Sequence, residues 1–227
     1  MRKTLFIALL SLALNACGED TTDLSTPTAL PSVESLVTHE DGVLTLKTAT
    51  FDATYRVPGC AEVGPNCDSG SLLNGRSDSV PEVNRPNTLN ASCADGTWSG
   101  YFANRAIERL TVSTTDGSNL AAGKTVKLEA TVYAYSLVQD KLDLYYSASV
   151  ENPSWTFLGT YSPSRSGLNT LSATYTLPAG GVQAVRANFR FVDSSNTNSP
   201  ASVCSSGNFD DHDDLIFTVQ ASPKALH

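Results

Sequence analysis

An acidic run near the C-terminus is the segment of this 227-residue chain with the clearest potential for chemistry. Carboxylates in close succession repel one another unless cations, amides or water compensate their charge. Ca²⁺ takes about 6–8 hard oxygen ligands in a flexible geometry, although the spacing is not that of an EF-hand loop. The sequence therefore predicts a structural Ca²⁺ site whose candidate ligands are Asp210, Asp211, Asp213 and Asp214.

Two other interpretations of this run stay open. One is a solvated acidic loop in which Asp213 or Asp214 accepts hydrogen bonds from main-chain amides where the next strand begins. The other is a transition metal held through His212. Because side chains alternate along a strand, Asp213 and Asp214 are expected to point to opposite faces. Only part of the run can then face a single ion.

A second polar region runs from Asp68 to Gly96 and has few strand signals. It is too long for a simple connection in a compact domain, so we expect it to be functional or pinned by disulfides. Sugar sites combine planar aromatic groups with fixed hydrogen-bonding groups. Arg76 and Asn87 are candidate donors to a polyol and Trp98 is a candidate stacking platform, although a Trp in a β-sandwich more often belongs to the core.

Catalytic templates do not fit this chain. It contains neither an HExxH motif nor a GxSxG nucleophile elbow, and it has three histidines. A carboxylate-pair glycosidase stays open, because sequence does not show how far apart two carboxyl groups lie. We expect a protein that is not an enzyme.

Four of the five cysteines lie in turn-rich segments and are expected to form disulfides. Three connectivities are possible, and we favour Cys60–Cys67 with Cys93–Cys204. The first pair closes a small loop containing a Gly-Pro turn, and the second closes a long span of chain. The spacings do not resemble the CxxC pairs of zinc sites.

The N-terminus has the pattern of a secretory signal peptide. Arg2 and Lys3 precede an apolar run, Leu5 to Leu14, that is too short to cross a bilayer. The following Leu-Asn-Ala-Cys segment resembles the bacterial lipobox, which implies cleavage after residue 16 and lipidation of Cys17. We expect a lipid anchor in the cell envelope, in the outer membrane if the source is Gram-negative. An ordinary signal peptide that leaves Cys17 as a free thiol is the alternative.

Composition divides the rest of the chain. Residues 17–45 are rich in Thr, Ser, Pro and acids and lack an apolar period, which predicts a disordered tether. Residues 46–221 form the predicted domain and residues 222–227 a short tail. The net charge of −8 argues against nucleic acid as a partner, because phosphates are held by clustered Lys and Arg.

The domain is expected to be all-β, an antiparallel β-sandwich of jelly-roll type with about eight strands. Alternation is clear over residues 125–135 and 182–192, which indicates a sheet with one buried face. Residues 103–110 are a short helix or, equally, loop and strand. The predicted strands are Leu46–Tyr55, Arg109–Ser113, Thr125–Tyr135, Leu142–Ser149, Thr156–Tyr161, Thr170–Leu177, Val182–Val192 and Leu215–Val219.

Six strings of the domain are distinctive: CDSGSLLNGR, PNTLNASCADG, STTDGSNLAAGKTVKLEATVYAYS, DKLDLYYSASVENPSWTF, TLSATYTLPAGGVQAVRANFRF and DDHDDLIFTV. They resemble a β-sandwich module that recurs at the C-terminus of secreted bacterial metalloproteases and in stand-alone lipoproteins. In its topology and in an Asp that enters the final strand, the chain is also similar to galactose-binding-like jelly rolls. This second resemblance implies a structural Ca²⁺ held partly by that Asp, a position that Asp213 or Asp214 would occupy.

Together these features predict a non-enzymatic, membrane-anchored lipoprotein that presents a β-sandwich outside the cytoplasm. Its expected role is to bind a glycan or an extracellular protein. A structural or envelope-assembly lipoprotein without a small ligand is the second hypothesis, and a carbohydrate-active enzyme is the third.

Overall fold

The computed structural model describes residues 46–76, 81–97, 105–193 and 200–221. The predicted signal peptide, Cys17, the tether, Trp98 and the C-terminal tail lie outside these residues. Within them the chain forms ten strands and one short 3₁₀ turn, Leu89–Ala91. The strands are β1 Thr50–Asp52, β2 Val57–Cys60, β3 Asn66–Asp68, β4 Ala106–Thr114, β5 Thr125–Ala134, β6 Asp140–Ser147, β7 Thr156–Tyr161, β8 Gly167–Thr176, β9 Val182–Phe191 and β10 Asp211–Thr218.

The strands form two sheets, which confirms the predicted β-sandwich. The larger sheet has six strands in the order β1-β2-β10-β9-β6-β7, and the smaller has four in the order β3-β4-β5-β8. Among the described strands, pairing is antiparallel except between β2 and β10. No helix in the described part of the chain is long and apolar enough to span a membrane.

Alternating apolar side chains fill the space between the two sheets. In β5 the inward residues run from Val126 to Ala134 at every second position, as the sequence predicts. In β9, Val185, Ala187 and Phe189 face the same core. Each large side chain buried in this way contributes about 1.5–3 kcal/mol, so the two inner faces hold the sandwich together.

Three sequence predictions need correction. The two short strands β2 and β3 were missed, because three or four residues carry too little periodicity to be recognised. The predicted strand Leu46–Tyr55 is limited to Thr50–Asp52. For residues 103–110, where helix and strand were equally open, the strand alternative is confirmed from Ala106 onward. The final strand begins at Asp211, four residues earlier than predicted, because the pairing of β10 with β9 continues through the acidic run.

Both predicted disulfides are present. Cys60 is bonded to Cys67 across a Cα–Cα distance of 5.8 Å, and Cys93 to Cys204 across 5.5 Å. The first ties β2 to β3 and hence one sheet to the other. The second joins the segment 81–97 to the segment 200–210.

The outer face of the six-stranded sheet is buried around β9, contrary to the prediction of one buried face per sheet. Arg186, Asn188 and Arg190 project from β9 on this side and are at most 5% exposed. Arg186 pairs with Asp214 at 2.7 Å, and Arg190 pairs with Asp143 at 2.5 Å. A buried charge needs a partner, so these pairs make the polar face compatible with burial.

The two disulfide-linked segments cover this polar face. Arg186 Nη2 donates to Ser92 Oγ at 2.9 Å, and Asn188 Nδ2 donates to the Ser202 carbonyl at 2.7 Å. The indole ring of Trp155 lies 4.4 Å from the Arg186 guanidinium. Hydrogen bonds from the sheet therefore fix the path of the covering segments, one of which carries part of the site described next.

Candidate metal centre

The side chains of the acidic run point alternately to the two faces of the sheet, because most of the run lies in strand β10. Asp211 and Asp213 occupy inward positions of β10, in the same alternating set as the core residue Leu215. His212 and Asp214 occupy the outward positions. Asp210 precedes the strand. All five residues are at most 2% exposed, so the solvated-loop interpretation is wrong.

Two of the four predicted calcium ligands are used for other bonds. Asp210 accepts hydrogen bonds from the Phe191 and Gly207 amides, both at 2.9 Å. Asp214 pairs with Arg186 and accepts the Leu89 amide at 2.7 Å. These bonds occupy both carboxylate oxygens of each residue. Asp210 and Asp214 therefore stabilise loops and do not belong to the buried acidic group formed by their neighbours.

The long polar segment supplies the partners of the two inward carboxylates. Glu82, Asp95 and Asp211 each place one carboxylate oxygen so that all three atoms lie within 4.8 Å of one another. The charges of the same three groups act on the carboxyl group of Asp213, which is also buried. We call Glu82, Asp95, Asp211 and Asp213, together with the neighbouring Asn87 amide, the acidic centre.

Hydrogen bonds hold one side of every group except Asp213 and leave the other side unpartnered. The Asp211 Oδ2 atom accepts the Ile107 amide at 2.6 Å, and Asp95 Oδ1 accepts the His212 amide at 3.1 Å. The Asn87 Nδ2 atom donates to Glu82 Oε1. When the acids are ionised, no donor among the described residues reaches the remaining oxygens, which are Glu82 Oε2, Asn87 Oδ1, Asp95 Oδ2, Asp211 Oδ1 and both carboxylate oxygens of Asp213. Glu82 and Asp213 can bond to each other only when one of them carries a proton.

Six buried oxygens without a donor form a set that water cannot reach easily. Asp211, Asp213 and Asn87 are fully buried, Glu82 is 7% exposed and the Asp95 side chain is 2% exposed. A buried acceptor without a partner costs about 1–3 kcal/mol, and more when it is charged. An arrangement of this kind calls for a bound cation or for protons.

The electrostatics of the centre are those of crowded, buried acids. Burial, followed by the charge of Asp95, raises the pKa of Glu82 to about 8. Burial raises the pKa of Asp95 to about 7. The pKa values of Asp211 and Asp213 also lie well above their usual range, first because of burial and then because of the neighbouring carboxylates.

Two arginines compensate part of this charge. Arg76 is fully buried and donates to the carbonyls of Arg105 and Gly96, both at 2.8 Å, and its charge acts on Asp95 and Asp211. Arg85 acts on Glu82 and Asp95. Four ionised carboxylates against two guanidinium groups would leave two negative charges in surplus, the charge that one divalent cation neutralises.

His212 does not contribute to the centre as a metal ligand. Its Nε2 atom accepts the Ser205 amide at 3.1 Å, so a neutral ring carries its proton on Nδ1, the nitrogen that lies 3.9 Å from Asp95 Oδ1. Neither nitrogen then offers a lone pair to a metal. Burial lowers the pKa of the imidazole to about 4, which keeps the ring neutral. The transition-metal interpretation through His212 therefore lacks support, and the available donor atoms of the centre are all oxygens.

The set of oxygen atoms available as metal ligands fits a hard cation. Ca²⁺ binds about 6–8 oxygens from carboxylates and amide carbonyls, and its variable geometry suits ligands drawn from a loop and a strand. Mg²⁺ usually keeps several of its waters, for which a fully buried centre leaves little room. The side chains that fit the first coordination shell of calcium are those of Asp211, Asp213, Glu82, Asp95 and Asn87.

Sequence analysis found part of this set. Asp211 and Asp213 were predicted, whereas Glu82 and Asp95 were not assigned as ligands, because each is a single acid in a long irregular segment. Asn87 was predicted to meet an external polyol, but it lies inside the protein beside Glu82. Arg76 is likewise inside and bonded to carbonyls, so neither residue can present a donor at the surface. Trp98 lies outside the described residues.

The raised pKa values predict a pH dependence in the cation-free protein. Because the folded pKa values of Glu82 and Asp95 lie above their ordinary values of 4.5 and 3.8, folding is favoured when these groups are protonated. We expect the melting temperature in chelator to be highest near pH 4–5 and to fall as pH rises through about 7 to 8. Millimolar Ca²⁺ should remove this fall. A flat profile in chelator would contradict the prediction.

Comparison with known proteins found no match to this chain among protein-family models, curated proteins or solved structures. The resemblance to the metalloprotease C-terminal module and to galactose-binding-like jelly rolls therefore stays a prediction. The buried acidic centre is the feature from which a function is argued.

Proposed function

We propose that this protein is a membrane-anchored lipoprotein that presents a Ca²⁺-stabilised β-sandwich as a binding module outside the cytoplasm. One observation carries the calcium part of the proposal: six buried oxygen atoms of the acidic centre lack a hydrogen-bond donor among the described residues. Protons alone would satisfy these atoms only until the pH rises through about 7 to 8, the pKa values of Asp95 and Glu82. A divalent cation satisfies the same atoms at neutral pH.

The cation has a structural role in this proposal. Its ligands come from the segment 81–97 and from β10, and the Asp211 carboxylate also accepts the Ile107 amide of β4 in the other sheet. Binding would connect a long irregular segment to both sheets at one end of the sandwich. Because that segment contains Cys93, which is bonded to Cys204, ion and disulfide would act together to hold it.

The lipid anchor is supported by the N-terminal sequence. A basic pair, a ten-residue apolar run and a lipobox-like segment precede Cys17, and the four other cysteines are paired in two disulfides. Disulfides persist in oxidising compartments, which agrees with export. Two or more acyl chains anchor a protein firmly, because each buried CH₂ group contributes about 0.8 kcal/mol.

A groove on the six-stranded sheet offers a place for a ligand. Two adjoining hollows of about 250 and 330 Å³ share Tyr55 and Val182, and the first also includes Phe51 and Asp52. Planar aromatic groups beside a carboxylate are the chemistry that holds a saccharide ring. We propose this groove, in place of Arg76, Asn87 and Trp98, as the glycan-binding surface.

Calcium binding is tested by melting the full-length chain in chelator and in millimolar Ca²⁺. We expect a higher midpoint with Ca²⁺, equivalent to about 2.7 kcal/mol when free Ca²⁺ is ~100 times Kd. Asp213→Asn should abolish the shift, and it should raise the midpoint in chelator because it removes one of four repelling charges.

Asp214→Asn is the matched control, because it changes an adjacent acid outside the acidic centre. It should lower both midpoints, since it breaks the buried pair with Arg186, and it should keep the Ca²⁺ shift. A wild-type chain without a shift, or an Asp213→Asn variant that keeps the full shift, would overturn the calcium proposal.

The anchor is tested by replacing Cys17. The full-length wild-type chain expressed in a Gram-negative host should be recovered from the membrane fraction and should carry added acyl mass. The Cys17→Ser variant should lack that mass and leave the membrane fraction. If both chains fractionate alike and neither is acylated, the N-terminus is an ordinary signal peptide.

Ligand binding is tested on arrays of glycans and on cell-wall fractions, with and without Ca²⁺. We expect the wild-type chain to be retained and Tyr55→Ala to reduce retention at least tenfold. Tyr135→Ala, at a 46% exposed tyrosine outside the groove, should not change it. If the wild-type chain is retained by nothing, the binding role is wrong and the structural, envelope-assembly role is favoured.

A further inference from the structure

One side of the sandwich is built from two strands without any charged residue. β7 and β8 contain no Asp, Glu, Lys, Arg or His, although the chain as a whole has 38 Asp, Glu, Lys and Arg residues taken together. Both are the last strands of their sheets, and they lie against each other at the same side. We call this surface the uncharged side wall. Phe157 and Leu168 on it are 49% and 52% exposed.

The edge of β8 is open to pairing. β8 has ten residues, about 33 Å of extended chain, and β5 pairs with it along its full length on one side. On the other side no strand of the described chain is bonded to it. The Leu168 carbonyl accepts the Arg165 side chain at 3.0 Å, so the stretch free for a new strand is Thr170–Thr176.

The other sheet edges are protected, which sets β8 apart. β1 has three residues, one of them charged. β3 also has three residues, and the segment 47–49 is hydrogen bonded along it. β7 has six residues, and its pairing with β6 is interrupted by an irregularity. Natural edge strands are usually kept short, charged or distorted to prevent association, and β8 has none of these features.

Charge indicates which partner this wall fits. The chain carries a net charge of −8, so two copies repel one another through most of their surface. The uncharged side wall is a surface on which that repulsion is least, and its uncharged counterpart exists on every other copy. Thr and Ser side chains pair favourably across antiparallel strands, as Thr131 and Thr170 already do at 3.3 Å.

We propose that two copies of this chain associate through their uncharged side walls, with β8 of one copy pairing antiparallel with β8 of the other. A two-fold axis would then join the two four-stranded sheets into one continuous sheet of eight strands. The β7 strands, with the exposed Phe157 ring, lie beside this seam and add apolar contact. The inference does not depend on calcium or on a glycan ligand.

Light scattering of the full-length chain in detergent tests the proposal, since it separates protein mass from detergent mass. We expect wild-type protein to have twice the mass of one chain, and Thr174→Glu to have the mass of one chain. Thr174 is exposed on the outer side of β8 and is next to Ala173, the centre of the free stretch, so the two new carboxylates would be diagonal neighbours across the seam and would repel one another. Ser113→Glu, on β4 in the interior of the same sheet, should remain dimeric.

A second variant keeps the test decisive if Thr174→Glu fails to fold. A short bis-maleimide cross-linker should join two Thr174→Cys chains in membranes, because diagonal neighbours lie about 7–8 Å apart, and it should not join Ser113→Cys chains. A monomeric wild-type chain, equal dissociation of both Glu variants, or a wild-type mass explained by a different bound protein would overturn the proposal.

Discussion

The structure depends on the burial of four carboxylates at one end of the β-sandwich. Each is held in place by a hydrogen bond or by its position on β10, and the four lie close together. Two guanidinium groups compensate only part of their negative charge. An ionised carboxylate in a protein interior costs several kcal/mol unless charge or hydrogen bonds compensate it. Compensation of buried charge is therefore the requirement that the covering segments and the disulfide between them serve.

The single strand β10 compensates its buried carboxylates in two different ways. The outward acid Asp214 is neutralised by Arg186, a charged partner within the protein. The inward acids Asp211 and Asp213 have no such partner close enough to bond, and their free oxygens face other carboxylates. One face of β10 is thus complete in the protein alone, whereas the other is completed by a cation in our proposal. This asymmetry explains why adjacent aspartates are expected to respond differently to substitution.

Charge is distributed unevenly over the molecule. Part of it is buried, in the acidic centre and in the ion pairs on the outer face of β9, and it is missing from the side wall formed by β7 and β8. Buried charges fix the path of irregular segments, because each needs a specific partner. An uncharged edge imposes no such restriction and lets another strand approach. The first feature specifies the fold of one copy, and the second provides for association between copies.

The sequence by itself determined the fold class and most strand positions, because alternation of apolar residues is a local property. It favoured the observed disulfide pairs, but only the structure decided among the three possible connectivities. It also showed that alternate aspartates of the acidic run must separate. Only the tertiary structure decided that Glu82 and Asp95 join Asp211 and Asp213, since these acids are more than a hundred residues apart in the chain and meet through the path of an irregular segment. The same is true of the burial of Arg76 and Asn87. Their polar side chains predicted a place at the surface, but both residues are buried. Burial is possible because their charged and hydrogen-bonding partners come from distant strands and loops.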